Sequence, residues 1–211
     1  MNRGVEKRSI VVNDADRKRF VNDLQMLNDD ARVENLQYVL NNDRERAKAK
    51  HERLVTIHSW CLMRNHYHML LSDNTKDGVS RFLQKFNIGY TMYFNKKYIR
   101  VGALFQGKTK RVQIETDRQY LYILPYIHLN PLDFMKGART WRAQCLTNQE
   151  GALKWVADYR WSSYRNYAGE KEFSEILEGS ELYADREHHT SELKRFLKVV
   201  PDPTLANLNL E

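Results

Sequence analysis

The chain has 211 residues, 42% of them hydrophobic and 29% charged, with a formal net charge of +7. That balance belongs to a soluble globular protein able to form one large domain, or one domain with a C-terminal extension. It excludes a membrane protein, because no apolar run approaches the roughly 20 residues of a span and MNRGVEKRS carries no signal-peptide apolar region.

Two cysteines, Cys61 and Cys145, make no disulfide framework, and no paired-cysteine metal spacing occurs, so a reducing cytoplasm is the expected location. The charge is unevenly spread: residues 170–211 hold 5 Lys/Arg against 10 Asp/Glu, leaving 29 against 17 in residues 1–169. A basic body suggests a polyanionic partner, nucleic acid being the commonest, and a merely basic surface would look the same.

In chain order, residues 9–13 (SIVVN) read as a short β-branched strand or a loop with strand character. Asp14 can then cap a helix carrying Phe20, Val21, Leu24 and Leu27. A second helical stretch is expected over 31–40, followed by a charge run at 43–53 that reads as a solvated helix end or loop, with a DNA contact as the less common alternative.

Residues 56–72 (TIHSWCLMRNHYHMLLS) form two short apolar runs joined by Arg64-Asn65, the pattern of a β-hairpin. In a strand, i and i+2 share a face, so His66 and His68 project together. Strict alternation sets Ser59, Cys61 and Met63 on that face, and His58, Trp60, Leu62, Tyr67, Met69 and Leu71 on the other. Two imidazoles held side by side can bind a divalent ion through one nitrogen each; packed or surface histidines are the alternative.

Val79, Phe82, Leu83, Phe86, Tyr90, Tyr93 and Phe94 repeat at 3.6 residues, predicting an amphipathic helix to about Tyr98 with an aromatic core stripe. Residues 102–115 (GALFQGKTKRVQIE) read as a strand, with Lys108, Lys110 and Arg111 placed to meet phosphates. A helix is expected from Asp117 to Pro131, kinked or restarted by Pro125 just before Tyr126 and stopped by Pro131. Tyr122, Tyr126 and Asn130 stand four residues apart on one face of it, while His128 faces away. An aromatic-rich stretch follows over 141–167. The rest is an acidic helical tail with His188 and His189 exposed, ending in a loose segment over 200–211.

The order strand, helix, hairpin, helix, strand, helix matches the ferredoxin-like (RRM-like) split βαβ plan. That is an α+β fold with helices on one sheet face and the other face open, on which His66 and His68 would sit. The tyrosine helix can fold over the open face. The division expected is residues 1–140 as the domain and 141–211 as a C-terminal extension with the WSSY segment and helical tail.

The hairpin RNHYHMLL resembles the His-hydrophobic-His motif of HUH nucleases, and YIHLNP resembles their single-tyrosine segment. With GALFQGKTKRV and WSSYRNYAG in the same order, residues 3–169 resemble the REP-associated tyrosine transposases, cellular relatives of single-tyrosine insertion-sequence transposases. The resemblance implies cleavage and rejoining of single-stranded hairpin DNA by a monomer or homodimer. Tyr126 would form a 5′-phosphotyrosine link, and Mg²⁺ or Mn²⁺ would be held by His66, His68 and Asn130. Tyr122 is a second nucleophile candidate.

Two departures stand out. Family members usually carry a first strand ahead of the segment matching Asn2-Arg3-Gly4; if it is missing here, the sheet has an unpaired edge or a neighbour supplies the strand. Pro125 occupies a place usually held by a basic or helix-compatible residue. Competing functions are an ordinary insertion-sequence transposase, a replication-initiator-like nickase, or a noncatalytic module binding single-stranded nucleic acid on the open sheet.

Overall fold

The computed structural model describes residues 1–30, 52–138, 141–143, 146, 148–181 and 186–198. The helical stretch expected over 31–40, most of the charge run and the segment 200–211 lie outside the described residues.

Strands β1 (Asn2–Arg3), β2 (Val55–Leu62) and β3 (His66–Asp73) form an antiparallel sheet in the order β1-β3-β2. Among the described residues the helices are α1 (Asp14–Met26), α2 (Gly78–Lys97), α3 (Asp117–Leu129), α4 (Gln149–Asp158), α5 (Tyr164–Tyr167) and α6 (Arg186–Phe196). The fold is α+β and compatible with the split βαβ plan.

Helices α1 and α2 cover one sheet face. Tyr67 points into it and meets the Phe20 ring at 5.4 Å and the Phe86 ring at 5.7 Å, while Phe20 and Phe86 pack edge-on at 4.8 Å. The aromatic stripe of α2 is thus core, as its period predicts: Phe82, Phe86, Tyr90 and Phe94 are all buried. The buried Asp16 carboxylate ties the layer together, accepting from Tyr93 at 2.9 Å, Tyr98 at 2.7 Å and Lys97. Burial raises its pKa, but these bonds outweigh that and hold it down to about 2.

Residues 9–13 form a loop with strand character, the second of the two expected readings, with one strand-like bond from Ile10 N to Arg64 O at 2.9 Å, and the edge strand is Asn2–Arg3. Other local expectations are corrected. The cap of α1 is Asn13, in a reciprocal capping box with Asp16, rather than Asp14.

Residues 102–115 form no regular strand. They run beside the outer edge of β1 through Val5 N to Leu104 O at 2.9 Å, Gln106 N to Arg3 O at 2.7 Å and Lys110 N to Met1 O at 2.9 Å. Gly107, at φ +63°, interrupts the extended run. The segment therefore takes the place of a fourth strand and covers the edge that a missing first strand would leave open.

Helix α3 also runs unbroken through Pro125. The carbonyl that loses its partner belongs to Leu121, a residue 46% exposed, where water can replace the bond. The α-helix does end before Pro131, at Leu129, as expected, and the chain continues as a 3₁₀ turn, Asn130–Phe134.

The C-terminal part is built onto the sheet. Trp161 O accepts from Leu62 N at 2.9 Å, Ser163 N donates to Trp60 O at 3.0 Å, and Cys61 and Ser162 form an antiparallel bridge. The WSSY segment thus pairs with the outer edge of β2.

Candidate active site

His66 and His68 open β3 immediately after the hairpin turn. Cys61 lies opposite His68 and Leu62 opposite Tyr67, and Met63 N bonds to His66 O at 2.9 Å. With Tyr67 committed to the α1/α2 layer, the two histidines face α3. Their ring centroids are 5.1 Å apart, and the His68 ring meets the Tyr126 ring edge-on at 5.8 Å.

Simple alternation fails further up β2. Ile57 pairs with Leu71 but Ser59 pairs with Leu70, so His58 is the extra residue of a β-bulge. Its Nε2 lies 2.9 Å from Ser72 Oγ and its Nδ1 lies 3.0 Å from Ser180 Oγ. Ser72 shares the face of His66 and His68, so His58 belongs to the histidine face, contrary to the alternation. It still stands away from the pair, because four strand residues separate Ser72 from His68, roughly 13 Å.

Electrostatics keep the pair neutral. Burial, then the Arg3 guanidinium, lower the His66 pKa to about 4, partly opposed by Asp133. Burial and then His66 itself hold His68 well below its ordinary value. His66 Nδ1 lies 2.8 Å from Asn65 Oδ1, and the Asn65 amide nitrogen donates to Lys7 O at 3.1 Å. Asn65 Oδ1 is therefore an acceptor, which assigns the ring hydrogen to Nδ1 and leaves the lone pair on Nε2. Among the described residues no hydrogen bond engages either nitrogen of His68. Both imidazoles are thus in the state that a cation requires.

Helix α3 brings the remaining groups. Its start is set by Thr116 and Gln119 in a reciprocal capping box. Tyr126 is 4% exposed and packs against Tyr122 at 6.0 Å and Trp141 at 5.5 Å between ring centroids. Tyr122, one turn earlier, lies farther out and packs on Phe196 at 5.2 Å. Asn130 is buried at the helix end. It donates to Tyr126 O at 2.8 Å, and its Oδ1 accepts from Arg142 Nη2 at 3.3 Å.

Arg142 and Asp133 escape a reading of the sequence, since single charges in irregular segments have no periodicity to mark them. Arg142 makes a two-pronged ion pair with Asp133, hydrogen bonds to Tyr126 and stacks on the Trp141 ring at 4.3 Å. Burial pushes the Asp133 carboxyl up, but the bonds from Arg142 and Trp141 outweigh it and hold the group below its usual range.

Lys108, Lys110 and Arg111 are exposed, and Arg111 donates to Ser80 Oγ at 2.8 Å. Lys110 and Arg111 rim a groove of about 670 Å³ whose wall includes His68, Leu70 and Ile123. Lys108 borders a second hollow, beside Ile88 and Met92 of α2.

His128 faces away from the site, as expected, but His189 is buried rather than exposed. His128 Nδ1 lies 2.7 Å from His189 Nε2, and His128 Nε2 lies 2.7 Å from Ser163 Oγ. The relay joins α3, the WSSY segment and α6.

Among the described residues, no group of three His, Cys, Asp or Glu side chains is placed to hold a metal ion. None of their helices is long and apolar enough to cross a membrane. No curated protein and no solved structure matches the chain. Residues 26–130, the stretch from the end of α1 through the histidine hairpin to Asn130, match the family model described as "Transposase IS200 like". With its histidine pair facing a tyrosine helix across an antiparallel sheet, the chain belongs to the IS200-like transposase family.

Proposed function

We propose that the chain cleaves and rejoins single-stranded DNA at hairpin-forming, REP-like repeats, with Tyr126 as nucleophile. The observation that carries this reading is the Tyr126 ring set against His68 at 5.8 Å, with Asn130 one helical turn on and bonded to the Tyr126 carbonyl. The Tyr126 hydroxyl oxygen would give up its proton to solvent and attack the backbone phosphorus, forming a tyrosine–phosphorus bond at the 5′ side. The bond to the 3′ oxygen breaks, and that oxygen leaves as a 3′-hydroxyl after taking up a proton. Attack by a 3′-hydroxyl reverses the step and restores Tyr126.

His66 and His68 fit a divalent ion, Mg²⁺ or Mn²⁺, as two neutral nitrogen donors, with Asn130 Oδ1 as the third ligand once Arg142 releases it. Imidazole donors suit Mn²⁺ better than Mg²⁺. When bound, the ion would polarise the phosphate and offset its developing charge. Lys108, Lys110 and Arg111 supply an exposed basic rim for the DNA backbone.

The test is incubation with labelled hairpin-forming single strands from the DNA flanking its gene, plus Mn²⁺, followed by a denaturing gel. Wild-type protein and Tyr122→Phe should form a covalent adduct and Tyr126→Phe should not. An adduct lost in Tyr122→Phe but kept in Tyr126→Phe would reverse the assignment.

A further inference from the structure

Two guanidinium groups, Arg3 and Arg142, bring positive charge to the histidine pair, and the nuclease reading on which this inference rests gives neither of them a contact with DNA. Arg3 lies directly opposite His66 in the β1–β3 register, so its side chain leaves the sheet on the histidine face. The next residue locks that placement. Gly4 N donates to Asn65 O at 2.8 Å, and a Cβ on Gly4 would stand 2.3 Å from Arg8 O. Among the described residues Arg3 has no carboxylate partner, and its Nε is buried without a hydrogen bond. A buried donor left unsatisfied is costly unless something else fills it. On the other side, Arg142 reaches both Tyr126 and Asn130 while anchored on Asp133. The guanidinium fork matches phosphate oxygens bidentately.

We propose that Arg3 and Arg142 bracket the scissile phosphate, Arg3 holding a non-bridging oxygen from the β1 side and Arg142 from the side of the tyrosine hydroxyl. Arg3 supplies the fixed cradle, since a two-residue strand and a hindered glycine set its backbone. Arg142 couples phosphate arrival to the nucleophile: turning from Asn130 to the phosphate frees the Asn130 oxygen for the ion. Both charges oppose the negative charge that builds on the equatorial oxygens during attack.

The experiment first maps the adduct position with wild-type protein on the hairpin strand. Binding is then measured in the Tyr126→Phe background with that strand, carrying either phosphate or a neutral methylphosphonate at the mapped position. Arg3→Gln should weaken binding of the phosphate strand about tenfold but that of the methylphosphonate strand less than about twofold. Arg3→Lys, which keeps the charge and loses the fork, should fall between them, and Arg142→Gln should show the same selectivity as Arg3→Gln. An equal penalty on both strands would assign the arginine to folding alone and overturn the proposal. Absence of any wild-type adduct would instead overturn the nuclease reading.

Discussion

Asn130 donates its side-chain amide to the carbonyl of Tyr126 at 2.8 Å while its oxygen accepts from Arg142 at 3.3 Å. One side chain thus closes the helix and presents an oxygen to the site, which makes the two roles separable by substitution. Asn130→Ala should lower the stability by about 1 kcal/mol through the lost cap and also raise the metal concentration needed for half-maximal cleavage. Asn130→Asp loses the donated bond yet keeps a hard-ion oxygen, so it should melt early while needing less metal than the alanine variant. Metal titrations beside melting curves check both. Lowered melting with an unchanged metal requirement would leave Asn130 as a cap only.

His66→Ala and His68→Ala should each slow metal-dependent cleavage by about a hundredfold or more, whereas His58→Ala should stay within about threefold. The reason is distance along the strand, since the bulge places all three on one face. His58→Ala should still lower the melting temperature, because His58 bridges Ser72 and Ser180. Equal losses of cleavage in three folded variants would show that the groove end at His58 takes part in the chemistry.

Acidification should destabilise the protein through its buried neutral histidines, and His189 is one of them beside His66, His68 and His128. Burial lowers the His189 pKa to about 3, so between roughly pH 6.5 and 3 only the unfolded chain takes up the proton. Its stabilising contribution is complete above pH 6.5 and falls as the pH drops below it. At pH 5 the loss is about 2 kcal/mol from this group. His189→Gln should flatten the decline of stability between pH 7 and pH 5 by about that amount in denaturant melts. An unchanged slope would show that His189 is neither buried nor bonded to His128 in solution.

Binding of single-stranded hairpin DNA should weaken steeply with salt. About five phosphate contacts give a log–log slope near −3.5, and alanine at Lys108, Lys110 and Arg111 together should reduce its magnitude by about 2. A flat response in the wild-type protein would remove the basic rim from the DNA path.

The histidine face was legible in the sequence because period-two alternation holds from Cys61 to His68, the part of the hairpin nearest its turn. It was not legible beyond the bulge, since one inserted residue reverses the alternation without leaving a mark in residue types. The tyrosine helix was legible through its spacing, and its passage through Pro125 was not, because that depends on exposure of the Leu121 carbonyl. His189 read as exposed within an acidic tail, yet Leu193, Phe196 and Leu197 on the same helical side carry it inward. The strand expected over 102–115 carries the correct position but not the regular geometry, because its bonds to β1 are too few and Gly107 turns the chain.

The pairing of the WSSY segment with β2 separates two boundaries that are easily equated. Every group assigned a chemical role in β2, β3 and α3 lies within residues 26–130, the span of the family match. A fragment cut there would nonetheless leave Leu62 N and Trp60 O on a bare strand edge and His128 Nδ1 without His189. Such an edge invites pairing with another copy. The span of the family match is therefore smaller than the set of residues that closes the outer edge of β2 and buries His128.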